Sequence, residues 1–295
     1  MTGAQALVAT LVDSGVDVCF ANPGTSEMHF VAALDTNPGM RCVLGLFEGV
    51  VTGAADGYGR MTGRPAATLL HLGPGLANGL ANVHNAKKAR TPMVNVVGEH
   101  ATYHREYDAP LTSDIVGVAS PMSHWVRMAD SADSVAALGA EAVEASLATP
   151  GQIATLILPA DTAWNETAGG PTVAGAADGP SAPDAAALDS AARALEGPNR
   201  CTLFLGGAIT EHRARQAGRI AVATGANVVA STWAPRQESG AGRTPLRRLA
   251  YFGEQAAEQL DGTEEMIIVG GNPPVTFFAY PGKPNWLTPD GAGMH

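Results

Sequence analysis

The sequence predicts an α/β protein made of two successive parallel-sheet units. Three observations carry that expectation: short apolar runs ending in glycine-rich turns, helical segments between those runs, and an abrupt change of composition over residues 166–187. Strands that alternate with helices need crossover connections, which are right-handed and give a mostly parallel sheet. With 295 residues, 45% of them hydrophobic and 16% charged, the chain is long enough for two ordinary cores.

The elements follow in order. Thr2-Gly3-Ala4-Gln5 has the spacing of a capping box, and Ala6, Leu7, Ala9, Leu11 and Val12 supply an apolar stripe for a helix closing near Ser14-Gly15. A strand over 16–20 ends in the turn Asn22-Pro23-Gly24-Thr25, which hands over to a helix over 26–34. The apolar run Val43-Leu44-Gly45-Leu46-Phe47 reads as the end of a buried strand over 41–47, with a helix of small residues after it. Further strands are expected at 66–72, 93–98 and 154–158, giving a first domain over 1–165. Residues 166–187 are Gly, Ala, Pro and Thr with almost no large apolar side chain, and read as a linker. A second domain over 188–295 then has strands at 201–205, 227–230 and 266–269, helices at 210–224 and 252–260, and the turns Gly206-Gly207 and Gly270-Gly271. With only about three strands, it is expected to be incomplete.

Composition removes several classes of function. The formal net charge is −10, with no basic stripe to follow a nucleic-acid backbone. No uninterrupted apolar stretch is long enough for a membrane helix, and the N-terminus lacks the pattern of a signal peptide, so the expected setting is cytoplasmic. Cys19, Cys42 and Cys201 lack paired spacing and are expected to be buried thiols. None of the eight histidines has a metal-binding spacing, so no metal ligands are expected, and His84 is assigned to packing or hydrogen bonding on a helix surface.

Glu48 is the only charge between Arg41 and Asp56, at a junction of strand and helix. Alone it admits two readings. A carboxylate in the first turn of a helix is favourable against the macrodipole, and the carboxyl edge of a parallel sheet is where ligands bind. Its neighbours Phe47, Val50 and Val51 lead us to expect apolar, buried surroundings, which raise a carboxyl pKa. His71 is likewise open between a structural hydrogen-bonder and a proton-transfer group.

Four motifs in order go beyond these single residues. Asn22-Pro23-Gly24-Thr25-Ser26-Glu27, Phe47-Glu48-Gly49 with Ala54 to Gly63, Gly73-Pro74-Gly75, and Asn78-Gly79 together resemble the pyrimidine-binding domain of thiamine diphosphate enzymes. The branch they are most similar to is the acetolactate synthase-like and benzoylformate decarboxylase-like one. The likeness covers about the first 165 residues strongly and the second domain more weakly.

The resemblance implies a flavodoxin-like parallel sheet with helices on both faces, followed by a Rossmann-like central domain. It implies a thiamine diphosphate-dependent 2-oxo acid decarboxylase or carboligase. Glu48 is the implied acid at the aminopyrimidine, and Asn22, Pro23, Gly24, Thr25, Gly73, Pro74, Gly75 and Asn78 line the cofactor. Leu70-His71-Leu72-Gly73 looks like the segment whose histidine faces substrate in benzoylformate decarboxylase, so His71 is implied to be catalytic. Glu99 and His100 are the other implied substrate residues, and replace the Gln usual in the synthases. Family members carry a further domain whose Gly-Asp-Gly motif and Asn pair hold Mg2+ and the diphosphate. No Gly-Asp-Gly occurs in this sequence, so the expectation is an amino-terminal portion of such an enzyme. FAD occupies the central domain of some members, and Trp233, Arg236 and Arg243 are candidates to meet it or, equally, a solvated loop. Implied partners are a 2-oxo acid and either a second copy, as homodimer or tetramer, or a chain carrying the diphosphate-binding domain. The competing expectation is a non-catalytic binding or assembly subunit that keeps the dimerising domain.

Overall fold

The computed structural model describes residues 1–176, 179 and 181–295. The chain folds as two compact units, Met1–Ser181 and Ala182–His295.

The first unit contains the strands β1 (Val18–Asn22), β2 (Arg41–Leu44), β3 (Ala66–Leu70), β4 (Met93–Glu99), β5 (Trp125–Met128) and β6 (Ile153–Pro159). Its helices are α1 (Gly3–Asp13), α2 (Met28–Thr36), α3 (Glu48–Thr62), α4 (Leu72–Ala89), α5 (Ile115–Ala119), α6 (Ala132–Leu147) and α7 (Ala160–Trp164). The six strands run in the order β2-β1-β3-β4-β6-β5, with every pairing parallel. Side chains alternate across the sheet, as a period of two requires. Ala67, Leu69, Val94 and Val96 pack with Leu7, Phe30 and Val143 of α1, α2 and α6, whereas Leu70, Val97 and Ile157 pack with Val51, Leu76 and Ile115 of α3, α4 and α5. Thr2 caps α1 in the expected capping box.

Several expectations need correction. The apolar run before Glu48 is not a buried strand, because β2 stops at Leu44 and is an exposed edge strand. Cys42 is exposed for the same reason, whereas Cys19 and Cys201 are buried as expected. Burial pushes the Cys19 thiol far above its ordinary pKa. The strand expected at 66–72 ends at Leu70, so Gly73-Pro74-Gly75 is the first turn of α4 instead of a loop before it. Pro74 suits that place because the first turn leaves its backbone N–H groups unpaired anyway. Strand β5 and the short helices α5 and α7 were not anticipated.

The expected linker over 166–187 includes Ala177, Asp178 and Pro180, which lie outside the described residues. Part of the rest is tied down: the amides of Thr172 and Ala174 donate to Thr10 Oγ1 and Ser14 Oγ, each at 3.0 Å. At the far end of α3, the Tyr58 hydroxyl donates to Asp17 at 2.5 Å, and Arg64 lies 2.9 Å from the same carboxylate. These two partners hold the Asp17 carboxyl below its usual range, Tyr58 contributing most.

The second unit contains α8 (Ala185–Glu196), β7 (Cys201–Leu205), α9 (Glu211–Thr224), β8 (Asn227–Ala230), β9 (Arg247–Arg248), α10 (Gly253–Leu260), β10 (Glu265–Val269) and β11 (Gly293–Met294). Its sheet has five parallel strands in the order β11-β10-β7-β8-β9, two more than expected, because β9 and β11 are two residues each. Among the described residues, no helix of either unit is long and apolar enough to cross a membrane.

Candidate active site

Strand order locates the site. In the first sheet the chain steps from β1 outward to β2, then returns to the other side of β1 for β3 and β4. The loops leaving β1 and β3 therefore diverge, and a crevice opens at the carboxyl ends of those two strands. Asn22 and Leu70, the last residues of β1 and β3, are register partners there. From them start the two segments that the sequence singled out, Pro23 to Glu27 and His71 to Gly75.

Glu48 reaches this crevice from the start of α3, with Phe47 as N-cap residue and Gly45-Leu46-Phe47 bridging from β2. Its Oε2 accepts a hydrogen bond from Asn78 Nδ2 at 3.0 Å. A Cβ added at Gly75 would lie 3.0 Å from Glu48 Oε1 and 3.3 Å from the Cβ of His71, so glycine is what lets α4 begin this close to both. Helices α3 and α4 are pinned together below: Thr52 Oγ1 donates to Gly79 O at 2.9 Å and Asn82 Nδ2 to Gly49 O at 2.7 Å. Gly73 is equally constrained, since a Cβ there would lie 1.8 Å from Ser113 Oγ.

The apolar enclosure expected around Glu48 is incomplete among the described residues. Val51 is buried, but Leu46 is 90% exposed, Val50 60% and Phe47 49%. The reason is the edge position of β2, which leaves its loop facing outward.

His71 is the N-cap residue of α4, and Leu72 after it has φ +49° although its side chain is fully buried. A leucine in the left-handed region is strained, and such strain persists only where the surrounding structure fixes it. His71 Nδ1 lies 2.7 Å from Glu27 Oε2, and Glu27 is 3% exposed. In the sequence, Glu27 stands inside the first motif with nothing that marks it for a role. The available signal was an acid three residues after Gly24 with no charged neighbour, which reads more simply as an acid near a helix start.

The remaining expected residues are spread unevenly. Thr25 and His100 line a separate recess of about 330 Å³ on the same sheet edge, with Ser26, His29, His104 and Trp164. The His100 and His104 rings are 5.5 Å apart, and His100 Nε2 is buried without a hydrogen-bond partner. Glu99 is 1% exposed, its Oε1 accepting from the His100 amide at 2.6 Å and its Oε2 lying 3.6 Å from Arg105 Nε. That carboxylate is turned onto its own neighbours and away from the surface. His84, on α4, is exposed, and its Nδ1 lies 3.3 Å from Asn85 Oδ1. Among the described residues, no group of three or more His, Cys, Asp or Glu is placed to hold a metal ion.

In the second unit, Arg236 and Arg243 bind Glu238, at 2.5 and 3.3 Å, and Glu238 also accepts from the Glu211 amide at 2.8 Å. That amide, then the two guanidinium groups, hold the Glu238 carboxyl below its usual range. The arginines are therefore engaged by a carboxylate instead of presented to a phosphate. Trp233 joins an exposed aromatic cluster, with ring centroids 5.1 Å from Phe277 and 5.8 Å from Tyr251.

A helix-start glutamate beside a glycine-lined switch point is the geometry of a cofactor-binding α/β domain, and residues 1–122 match the family described as "Thiamine pyrophosphate enzyme, N-terminal TPP binding domain". The chain is thus similar to thiamine diphosphate-dependent enzymes of the acetolactate synthase-like and benzoylformate decarboxylase-like branch. It is 55% identical, over its whole length, to the Mycobacterium tuberculosis protein named "Putative acetolactate synthase large subunit IlvX", of which it covers 57%. It is 30% identical to benzoylformate decarboxylase of Pseudomonas aeruginosa over 52% of this chain and 29% of that one. Among solved structures it resembles "X-ray structure of a putative thiamin diphosphate-dependent enzyme isolated from Mycobacterium smegmatis", with a TM-score of 0.84 and 25% identity, covering 100% of this chain and 56% of the other. The chain thus spans little more than half the length of these full-length matches.

Proposed function

We propose that this chain supplies the pyrimidine-binding part of a thiamine diphosphate-dependent enzyme that decarboxylates or ligates 2-oxo acids. The observation that carries the reading is the Glu48 carboxylate, fixed by Asn78 against Gly75 at the switch point of the sheet. Glycine at 75 lets α4 begin directly beside the Glu48 carboxylate, and a carboxylate paired with an amide donor suits an aminopyrimidine edge. The residues present therefore fit that end of the cofactor. When bound, the cofactor supplies an electron sink at its thiazolium carbon. Glu48 holds and moves a proton at the aminopyrimidine nitrogen; Asn22, Pro23, Gly24, Gly73, Pro74, Gly75 and Asn78 shape the cleft around it, and Thr25 lines the recess on the same sheet edge. His71 transfers protons at the substrate, with Glu99 and His100 nearby on the same edge. Mg2+ and the diphosphate, in this reading, are held by another part of the assembly. FAD in the second unit has less support, because Arg236 and Arg243 are already paired.

Desolvation of Glu48 needs a cover. Leu44, Leu46, Phe47 and Val50 form an exposed apolar rim near it, which supports contact with a second copy or with a chain carrying the diphosphate-binding domain. The same rim favours the second reading, an assembly subunit without catalysis of its own.

One experiment separates them. In a complete assembly, Glu48→Gln is expected to lower turnover by about 100-fold or more, to slow proton exchange at the thiazolium carbon, and to leave cofactor affinity nearly unchanged. An exchange rate equal to that of the unaltered assembly would remove Glu48 from the chemistry.

A further inference from the structure

We infer that Glu27 is a positioning residue whose buried carboxylate fixes His71 in one tautomer, with the proton on Nδ1 and with Nε2 as the free acceptor. The inference rests on the reading of His71 as the proton-transfer group at the substrate. A carboxylate only accepts hydrogen bonds, so the 2.7 Å contact between Glu27 Oε2 and His71 Nδ1 requires that nitrogen to carry a proton. Nε2 then has its lone pair available, and the ring keeps a quarter of its surface exposed.

The carboxylate is itself held from several sides. Oε2 also accepts from the Gly24 amide at 2.7 Å. A Cβ at Gly98 would lie 1.6 Å from Oε1, and a Cβ at Gly24 would lie 2.3 Å from the His71 ring. Two glycines, one following β1 and one in β4, thus clear the space in which acid and imidazole meet. Glu27 Oε1 is buried with no hydrogen-bond partner. A simple helix-end acid would leave that oxygen in water, since burying a polar atom unpaired opposes stability. Enclosure at such a cost is what a base and its orienting group show at reactive sites.

The test uses 15N-histidine spectra of this chain and turnover in the complete assembly. The unaltered chain is expected to show His71 as a single neutral tautomer protonated on Nδ1. Glu27→Leu removes the acceptor of the Nδ1 proton, and an unconstrained neutral imidazole favours Nε2–H, so the tautomer should switch; Glu27→Gln, whose amide oxygen can still accept from both Gly24 N–H and Nδ1–H, should keep it. Turnover should then fall by about 100-fold in Glu27→Leu with KM changed far less, as for a general base held in the wrong tautomer. A mixed tautomer in the unaltered chain, or one that Glu27→Leu does not move, overturns the inference even if His71→Ala is defective. A switched tautomer with no loss of turnover in either Glu27→Leu or His71→Ala overturns instead the reading of His71 on which the inference rests.

Discussion

The two sheets share a plan and differ in how each finishes its switch point. In the first unit the divergent loops leave β1 and β3, and the gap between them is occupied by polar side chains: Glu27, His71, Glu48 and Asn78. In the second unit the divergence is between β7 and β10, and there the backbones themselves meet. A Cβ at Gly206 would lie 2.5 Å from the Cα of Gly271. Aromatic rings rather than carboxylates gather on the loops beyond, with Phe277 and Phe278 centroids 4.4 Å apart and both rings more than half exposed. Topology fixes where a parallel sheet can bind, and the loop residues decide what chemistry is possible there.

That contrast can be broken first at its glycines. Gly206→Ala is expected to cost about 3 kcal/mol, because backbone and not a side chain must move. Gly24→Ala should cost about 1 kcal/mol, since it meets the His71 ring, which can turn aside. Chemical denaturation of both variants checks the order, and equal losses would mean the two crevices are built alike. His71→Ala comes next. It leaves the buried Glu27 carboxylate without its imidazole, so a loss of about 2 kcal/mol is expected alongside any change in activity. Phe277→Ala should remove about 1 kcal/mol from the second unit and shift the fluorescence of Trp233, its ring neighbour at 5.1 Å. No change in that emission would show that the cluster is not formed in solution.

The smallest effect is expected at Asp17, whose carboxyl is held below its usual range mainly by the Tyr58 hydroxyl and then by Arg64. As pH falls, the unfolded chain takes up this proton first. The contribution to stability is therefore complete above the ordinary carboxylate range and is lost as pH drops through the lower folded value. Tyr58→Phe should make the fall in melting temperature below about pH 4 shallower.

How much of this was legible in the sequence follows from burial. The central strands β3, β4 and β6 are buried along their whole length, and their apolar runs were read close to their true limits. The edges misled. Val43 to Phe47 is as apolar as a core strand but lies at or beyond the outermost strand, and Trp125–Met128 carries an arginine and left no strand pattern. Helix α8 was missed because its alanine-rich start continues the composition expected of a linker. Glu48, singled out by motif order, and His71, singled out by its likeness to a Leu-His segment, both lie at the crevice, and so does Gly73-Pro74-Gly75, though inside a helix and not in a loop before it. Glu27 was overlooked because its partner lies 44 residues away, and local spacing cannot encode such a meeting.

Leu72 bears on anyone who would re-engineer this edge. Its φ of +49° would suit glycine, yet its side chain is fully buried against Val51 and Leu76, so neither requirement can be met without sacrificing the other. A transplant of His71 into another scaffold must therefore carry its strained neighbour, the Gly-Pro-Gly helix start and a matching apolar socket as one module. Moved alone, the imidazole would arrive with its aim undetermined.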